Sequence, residues 1–368
     1  MSGVPPTGPA GTGGPRPPVP FRCAVLGVAK HDYVVHGVAA HPRFEVAVVA
    51  DDPDAPPGTH LRNERVASAY GVPYVRDVEH ALRDFDVQVA IVCPEVGRHV
   101  DLSVRAAGAG KHVIQDKPLT TRREEADRLV AAVERAGVRF LMWNRNEFPG
   151  VRHAREQIAA GAVGRPRAIH VDFYFAKDAG PPRGAASSDA AAAVAASGWE
   201  PMGELTIEGI YPLAYVRALA GAEVRRVFAR TATHFHQRNV DHGVEDLASV
   251  TLELEGGAVA TLAIGRIGEA SHHSDGEISL RVLGSAGALV AAEARPEAGV
   301  YYRGQPPGEA RQRRLANRYE HLLAGDFARA IDSGGQTALD ARASRRIFAT
   351  VEAALESARS GQPVDVLA

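Results

Sequence analysis

The sequence predicts two domains, an α/β domain built on a parallel sheet followed by an α+β domain. From Phe21 to Asn144, short apolar runs alternate with stretches of helical periodicity, the pattern of parallel strands covered on both faces. Beyond Gly150, strand-like runs recur with short glycine turns between them, which favours antiparallel neighbours. At 368 residues, 45% hydrophobic and 23% charged, the chain has the length for two cores and an ordinary globular composition.

Composition also excludes some classes of function. With 42 basic and 44 acidic residues and a formal net charge of −2, there is no basic excess of the kind a nucleic-acid partner calls for. No apolar run approaches the roughly 18 residues of a membrane helix, so no membrane association is expected. Cys23 and Cys93, the two cysteines, both lie in apolar strand-like runs. Two buried thiols fit a reducing cytoplasm better than a disulfide. Residues 1–20 are dominated by Pro and Gly and lack the apolar core of a signal peptide, so they read as a disordered tail. The domains are then expected at 21–145 and 146–368.

The run Phe21–Gly27 reads as a buried strand, and Val28-Ala29-Lys30-His31-Asp32 as a tight turn into a helix near Asp32–Ala40 with Asp32 as N-cap. Strand, Gly27 turn and helix N-terminus form a phosphate-binding corner that Ala29 and Lys30 would line. The glycine fingerprint of such corners is reduced here to Gly27-x-Ala29-x-x-Asp32, so a plain strand–helix turn stays open. The next run, Phe44–Asp51, ends in an acid about 24 residues after Gly27, near the place of the carboxylate that accepts adenosine ribose hydroxyls. Asp52 follows with no arginine adjacent in sequence. An acid pair repels a 2′-phosphate, which favours NAD and leaves NADP as the second choice; an Asp-Pro turn is the bland alternative.

Helices near Thr59–Tyr70, Val78–Asp84 and Val100–Ala109 separate strands at Val72–Val75, Val87–Cys93 and Val113–Ile114. A helix near Arg122–Ala136, closed by Gly137 as a C-cap, leads to the strand Arg139–Asn144. Cys93-Pro94-Glu95 and Asp116-Lys117-Pro118 end neighbouring strands, so their turns open on the edge of the sheet where a cofactor crevice belongs. Pro118 bars a helix from starting at Lys117 and keeps that residue extended. A lysine there can polarise a substrate oxygen, or be an exposed lysine in an ordinary turn.

Taken together, Ala109-Gly-Lys-His-Val-Ile-Gln-Asp-Lys-Pro-Leu119, the helix Gly203–Tyr215, Trp143-Asn-Arg145, Ala160–Pro166 and Leu252–Thr261 resemble the Gfo/Idh/MocA family, the relatives of glucose–fructose oxidoreductase and inositol dehydrogenase, over about residues 21–365. The resemblance implies a Rossmann domain followed by an α+β domain with a large open, mostly antiparallel sheet whose outer face joins a homodimer or homotetramer. The family's Glu-Lys-Pro stands here as Asp116-Lys117-Pro118, which implies that Lys117 meets both nicotinamide and substrate. Its Thr-Pro-Asn…His turn corresponds loosely to Cys93-Pro94-Glu95…His99. Cofactor contacts are thereby implied for Cys93, Pro94, His99, Asp116, Asn144 and Arg145.

In the second half, a helix near Gly150–Ala160 precedes strands near Pro166–Phe175, Val224–Thr233, Leu247–Glu253, Ala258–Ile264, Glu277–Leu283 and Ala288–Ala292. Residues 178–200, rich in Ala, Gly, Ser and Pro, read as a mobile lid or a plain disordered insertion. The family's Gly-Gly-x-x-x-Asp-x-Gly-x-His/Tyr pattern places Ile207 where its Asp stands and Tyr211 where its His or Tyr stands. On a straight helix Glu204 lies within about 20° of Tyr211 but two turns away, and Glu208 about 60° off and one turn away. Either can supply the carboxylate, with Glu208 nearer. Tyr211 can relay a proton if a nearby cation, Lys117 or the oxidised nicotinamide, lowers its pKa; the bland alternative is a packed helix tyrosine. His234 and His236, two apart, would share a strand face and contact substrate. With His242, His272, His273 and Asp275 they fit no tight metal spacing, so no metal is expected. Two amphipathic helices near Arg318–Asp332 and Asp340–Ser360 close the chain. The functional expectation is hydride transfer between a nicotinamide and a sugar, cyclitol or related small molecule, with a non-catalytic dinucleotide sensor as the alternative.

Overall fold

A computed structural model of the chain describes residues 19–175, 183–184, 201–266, 276–293, 297–302, 311–314 and 319–367. The expectations for most of the 1–20 tail, for nearly all of 178–200, and for His272, His273 and Asp275 lie outside the described residues.

The first half alternates strand and helix: β1 (Phe21–Val28), α1 (Asp32–Ala39), β2 (Phe44–Ala50), α2 (Pro57–Tyr70), β3 (Tyr74–Val75), α3 (Val78–Asp84), β4 (Val89–Cys93), α4 (Val96–Gly108), β5 (His112–Gln115), α5 (Arg123–Ala136) and β6 (Phe140–Met142). The six strands form one parallel sheet in the order β3-β2-β1-β4-β5-β6. β4, Val-Ala-Ile-Val-Cys, is buried at all five positions, because it sits mid-sheet with helices on both faces. The order reverses between β1 and β4, the switch point at which such sheets open a crevice at their carboxyl ends. Gly137, at φ 65°, closes α5 in the left-handed conformation, as its sequence position indicates. α4 starts at Val96, four residues earlier than expected.

The second half comprises α6 (Pro149–Ala159), β7 (Pro166–Phe175), α7 (Glu204–Ile207), α8 (Ile210–Ala220), β8 (Val224–Ala232), α9 (Gln237–His242), β9 (Leu247–Leu254), β10 (Val259–Gly265), β11 (Gly276–Gly284), β12 (Gly287–Ala292), β13 (Glu297–Tyr302), β14 (Arg311–Arg314), α10 (Tyr319–Ser333), α11 (Ala341–Ser360) and β15 (Val364–Asp365). Its nine strands form one sheet, order β14-β13-β12-β11-β7-β10-β9-β8-β15. Every pairing is antiparallel except β7 with β10. β9 alternates buried and open positions, the mark of a sheet with one covered face. α11 packs against both β8 and α5 and so ties the two sheets together. Asp340 starts it by accepting from the Ala343 amide at 2.8 Å.

The stretch Gly203–Tyr215 is two helices rather than the continuous one expected. Pro212 explains the break. It has no N–H to bond the carbonyl four residues back, and its ring crowds that carbonyl, which belongs to Glu208. The chain instead turns tightly at Glu208–Gly209, with the Tyr211 amide bonded to the Glu208 carbonyl at 3.0 Å. Straight-helix angles between Glu204, Glu208 and Tyr211 therefore do not apply.

Candidate active site

The crevice is built by two turns. After β1, Gly27 takes φ +68°, and a Cβ there would lie 2.8 Å from the Pro94 Cβ and 3.3 Å from an Asp51 oxygen. Only glycine fits that backbone and that approach. The Ala29 amide donates to the Cys93 carbonyl at 2.9 Å, which locks the first turn to the end of β4. Lys30 is exposed at its crest. No side chain caps α1, and the exposed Asp32 lies 4.0 Å from His36, so the helix N-terminus carries no carboxylate cap. Beside Asp51, the buried Asn63 Oδ1 has no hydrogen-bond partner. A glycine cradle, a helix N-terminus without a side-chain cap and an unmatched polar atom fit a dinucleotide.

The second turn carries the buried lysine the sequence singles out. The Lys117–Pro118 peptide is cis. Lys117 Nζ is buried, 3.1 Å from the Ile207 carbonyl and 3.1 Å from Glu208 Oε1, and lies 5.4 Å from the centre of the Tyr211 ring. Arg266, at the end of β10, bonds Glu204 at 2.7 Å and Glu208 at 3.1 Å. Two cations and two carboxylates thus share one pocket with side-chain exposures of 4, 8, 6 and 2% for Lys117, Glu208, Arg266 and Glu204. Burial would raise Glu208, but Lys117 and Arg266 hold it below its ordinary value. Burial keeps Glu204 above its own ordinary value despite Arg266, and its Oε2 has no partner. The two acids are thus pushed in opposite directions, Glu204 up and Glu208 down.

Around this set, His31 Nδ1 lies 2.6 Å from Asp116 Oδ2. Burial would raise the Asp116 carboxyl, but His31, with His99 and Lys117, holds it below its ordinary value. Arg145 bonds Glu293 at 2.5 Å, with its guanidinium 4.2 Å from the Phe148 ring and 5.5 Å from that of Tyr211. The Tyr215 hydroxyl donates to Glu293 at 2.5 Å. Burial, with Tyr211 and Asp116 nearby, pushes the pKa of Tyr33 of α1 well above its ordinary value.

Several expectations need correction. Lys117 does not make Tyr211 acidic: burial and Glu208 push its pKa well above the ordinary value, against a smaller lowering by Arg145, and Lys117 lies over its ring and is paired to Glu208. Tyr211 stays a phenol. Asp51 and Asp52 do have arginines at hand, supplied by α4: Arg98 Nη1 bonds Asp51 at 2.5 Å and Arg105 bonds Asp52 at 2.7 Å. His234 and His236 lie in the turn beyond β8, not on it. His234 is exposed, while His236 Nε2 bonds the Arg266 carbonyl, so only His236 reaches the cluster. His99 faces the Pro118 and Pro94 carbonyls at 2.8 and 3.2 Å; it braces the two turns against each other and has no nitrogen left for a cofactor. Asn144 is likewise engaged at both ends, with the Met142 carbonyl and the Asn146 amide. Burial raises the Cys93 thiol far above its ordinary value, which leaves its backbone as its contribution. Arg98, Arg266, Glu293 and Tyr33 escaped the sequence reading. Only Arg98 left a signal there, as the residue beside His99 in the Cys93-Pro94 turn.

A cavity of about 340 Å³ lies behind the Pro118 turn, between Thr120, Thr206 and Ile210 and the α11 residues Ile347, Phe348 and Val351. It is mostly apolar and contains neither Lys117 nor Tyr211, so it is separate from the charged cluster. Among the described residues no group of three or more His, Cys, Asp or Glu is placed to hold a metal ion, and no helix is long and apolar enough to cross a membrane.

Residues 21–144 match the model of an oxidoreductase family with an NAD-binding Rossmann fold, GFO_IDH_MocA. Residues 151–290 match a GFO/IDH/MocA C-terminal domain. An uncharacterised oxidoreductase of Bacillus subtilis (strain 168) is 24% identical over 90% of this chain and 92% of its own. The scyllo-inositol 2-dehydrogenase (NAD(+)) of the same strain is 26% identical over 73% of this chain and 72% of its own. The solved structure of a levoglucosan dehydrogenase in complex with NADH and levoglucosan superposes with a TM-score of 0.77 at 21% identity, over 95% of this chain and 100% of that one.

Proposed function

The chain belongs to the Gfo/Idh/MocA family of NAD-binding oxidoreductases, and from that premise we propose that it oxidises a sugar or cyclitol alcohol, or reduces the matching ketone, at the Lys117–Tyr211 pocket. The observation that carries this reading is the convergence of Lys117, Glu208, Arg266 and Tyr211 beside the crevice of the Rossmann sheet. A nicotinamide, when bound, supplies or takes up the hydride.

Lys117 holds the oxygen of the substrate and polarises it. Glu208, ionised between two cations, orients Lys117 and takes the place of the family acid missing at Ile207. Tyr211, held as a phenol by burial, gives its proton to the substrate oxygen in the reductive direction. Glu204 Oε2 offers an unmatched acceptor for a further hydroxyl. Asp116 fixes His31 at the mouth of α1. Inositol dehydrogenases and a levoglucosan dehydrogenase are among the proteins this chain is similar to, and a pocket rich in paired charges suits a polyhydroxylated ligand.

Exposed Phe228, Val259 and Leu283 lie on β8, β10 and β11 and suit a homodimer or homotetramer formed through the outer face of the nine-stranded sheet. Free, buried Cys23 and Cys93 suit a reducing cytoplasm. The test is nicotinamide absorbance during incubation with NAD(H) or NADP(H) and a panel of sugars, cyclitols and keto-sugars. Turnover of at least one polyol or its ketone is expected; tight dinucleotide binding with no turnover across the panel would favour the sensor instead.

A further inference from the structure

The two acids at the end of β2 are each covered by an arginine from one face of α4. Arg98 and Arg105 stand seven residues apart, two turns along that helix. Asp51 has no exposed surface. Its Oδ1 accepts from the Asp52 amide at 2.9 Å and Arg98 Nη1 at 2.5 Å, and its Oδ2 from Asn63 at 2.9 Å and Arg98 Nη2 at 3.3 Å. Arg98 keeps 26% of its side chain exposed. What faces the crevice at this end is therefore a guanidinium in front of a carboxylate. Arg98 also bonds Glu95 at 2.7 and 3.0 Å, and Glu95 accepts from Thr59. Arg105 clasps Asp52 with two bonds, at 2.7 and 2.8 Å.

We propose that Arg98 sets the dinucleotide preference of this crevice, giving it a tolerance for a 2′-phosphate that Asp51 and Asp52 alone would deny. The proposal rests on reading the crevice as the dinucleotide site. Two bare aspartates would meet a phosphate carrying nearly two negative charges with two of their own. Paired to them, Arg98 and Arg105 offset part of that repulsion, and the planar fork of Arg98, turned to the crevice, matches a phosphate. Glu95, engaged by Arg98 and Thr59, and Glu79, bonded twice by Arg105 at 2.7 Å, remain as opposing charges, so the tolerance rests on Arg98 standing in front of Asp51. The hydroxyls of an unphosphorylated ribose gain Asp51 only as Arg98 withdraws from it. The arrangement thus weakens the preference for NAD that the acid pair would otherwise impose.

The experiment is titration of the full chain with NADH and with NADPH, followed by nicotinamide fluorescence, for the wild type and for Arg98→Ala, Arg98→Gln and Arg98→Lys, with circular dichroism to confirm folding. Loss of a charge-assisted contact should raise the ratio of the NADPH to the NADH dissociation constant by about tenfold or more in the Ala and Gln variants, while Lys, which keeps the charge, should hold most of the wild-type ratio. A ratio that changes by less than about threefold in both neutral variants, or falls, overturns the role of Arg98. Folded wild-type protein that binds neither dinucleotide overturns the crevice reading along with it.

Discussion

Replacing Glu208 by Gln removes one negative charge from a buried set that is balanced as it stands, with Lys117 and Arg266 against Glu204 and Glu208. The remaining three carry one excess positive charge in a pocket whose members are at most 8% exposed. Breaking a buried ion pair from one side costs about 3–5 kcal/mol. Gln keeps a hydrogen-bonding oxygen, which places this case near about 3 kcal/mol. For a chain of this length the unfolding entropy is about 0.8 kcal/mol per kelvin, so the melting temperature should fall by about 4 °C. Lys117→Met alone leaves one excess negative charge and should also destabilise. The double variant Lys117→Met with Glu208→Gln leaves Arg266 against Glu204 and restores balance. Its loss should therefore be clearly smaller than the sum of the two single losses, with a coupling of about 2 kcal/mol. Calorimetry or denaturant unfolding of the four proteins reads this directly. Single losses that simply add would show that the charges do not act as a set.

Lys117→Ala should lower kcat/KM by about 10²-fold or more, read in steady-state assays on whichever polyol is turned over; near-normal kinetics would remove Lys117 from the chemistry. Tyr211→Phe should keep stability and dinucleotide affinity while kcat falls by about 10²-fold. Because burial and Glu208 raise the phenol, the wild-type pH–rate profile should show no break from Tyr211 up to about pH 10; an alkaline break near neutrality that vanishes in Tyr211→Phe would count against this. Asp116 and Glu208 both titrate below their ordinary values in the folded chain. Depressed acids lend stability that is present above their unfolded values and lost as pH falls through the folded ones. The melting temperature should therefore drop on acidification below about pH 4, and a rise there would refute the sign. Asp51→Ala should weaken NADH more than NADPH, since it also releases Arg98; an equal change in both would take Asp51 off the ribose.

The parallel sheet was legible because its strands are buried on both faces and so appear as unbroken apolar runs, as in Val-Ala-Ile-Val-Cys at 89–93. Gly27 and Gly137 announced turns that only glycine makes. Lys117 and Tyr211 were legible as neighbours through the motifs around them. The break at Glu208–Gly209 was not, although Pro212 stood in the sequence to cause it, because the family pattern over Gly203–Tyr215 was laid on one straight helix. Arg266 and Glu293 carried no local signal: each reaches its partner across more than fifty residues of chain, a relation that periodicity cannot encode. The same holds for Arg98, whose meaning depends on α4 lying over the end of β2. His234 and His236 show the reverse error, a spacing of two that was read as a strand although β8 had already ended at Ala232.

A crystal structure of the protein with NAD and a substrate polyol tests the central claim most directly. The expected result is the nicotinamide ring and the reacting hydroxyl in contact with both Lys117 and Tyr211, with Glu208 still paired to Lys117. A nicotinamide bound away from these side chains, or a polyol held elsewhere in the chain, would contradict it.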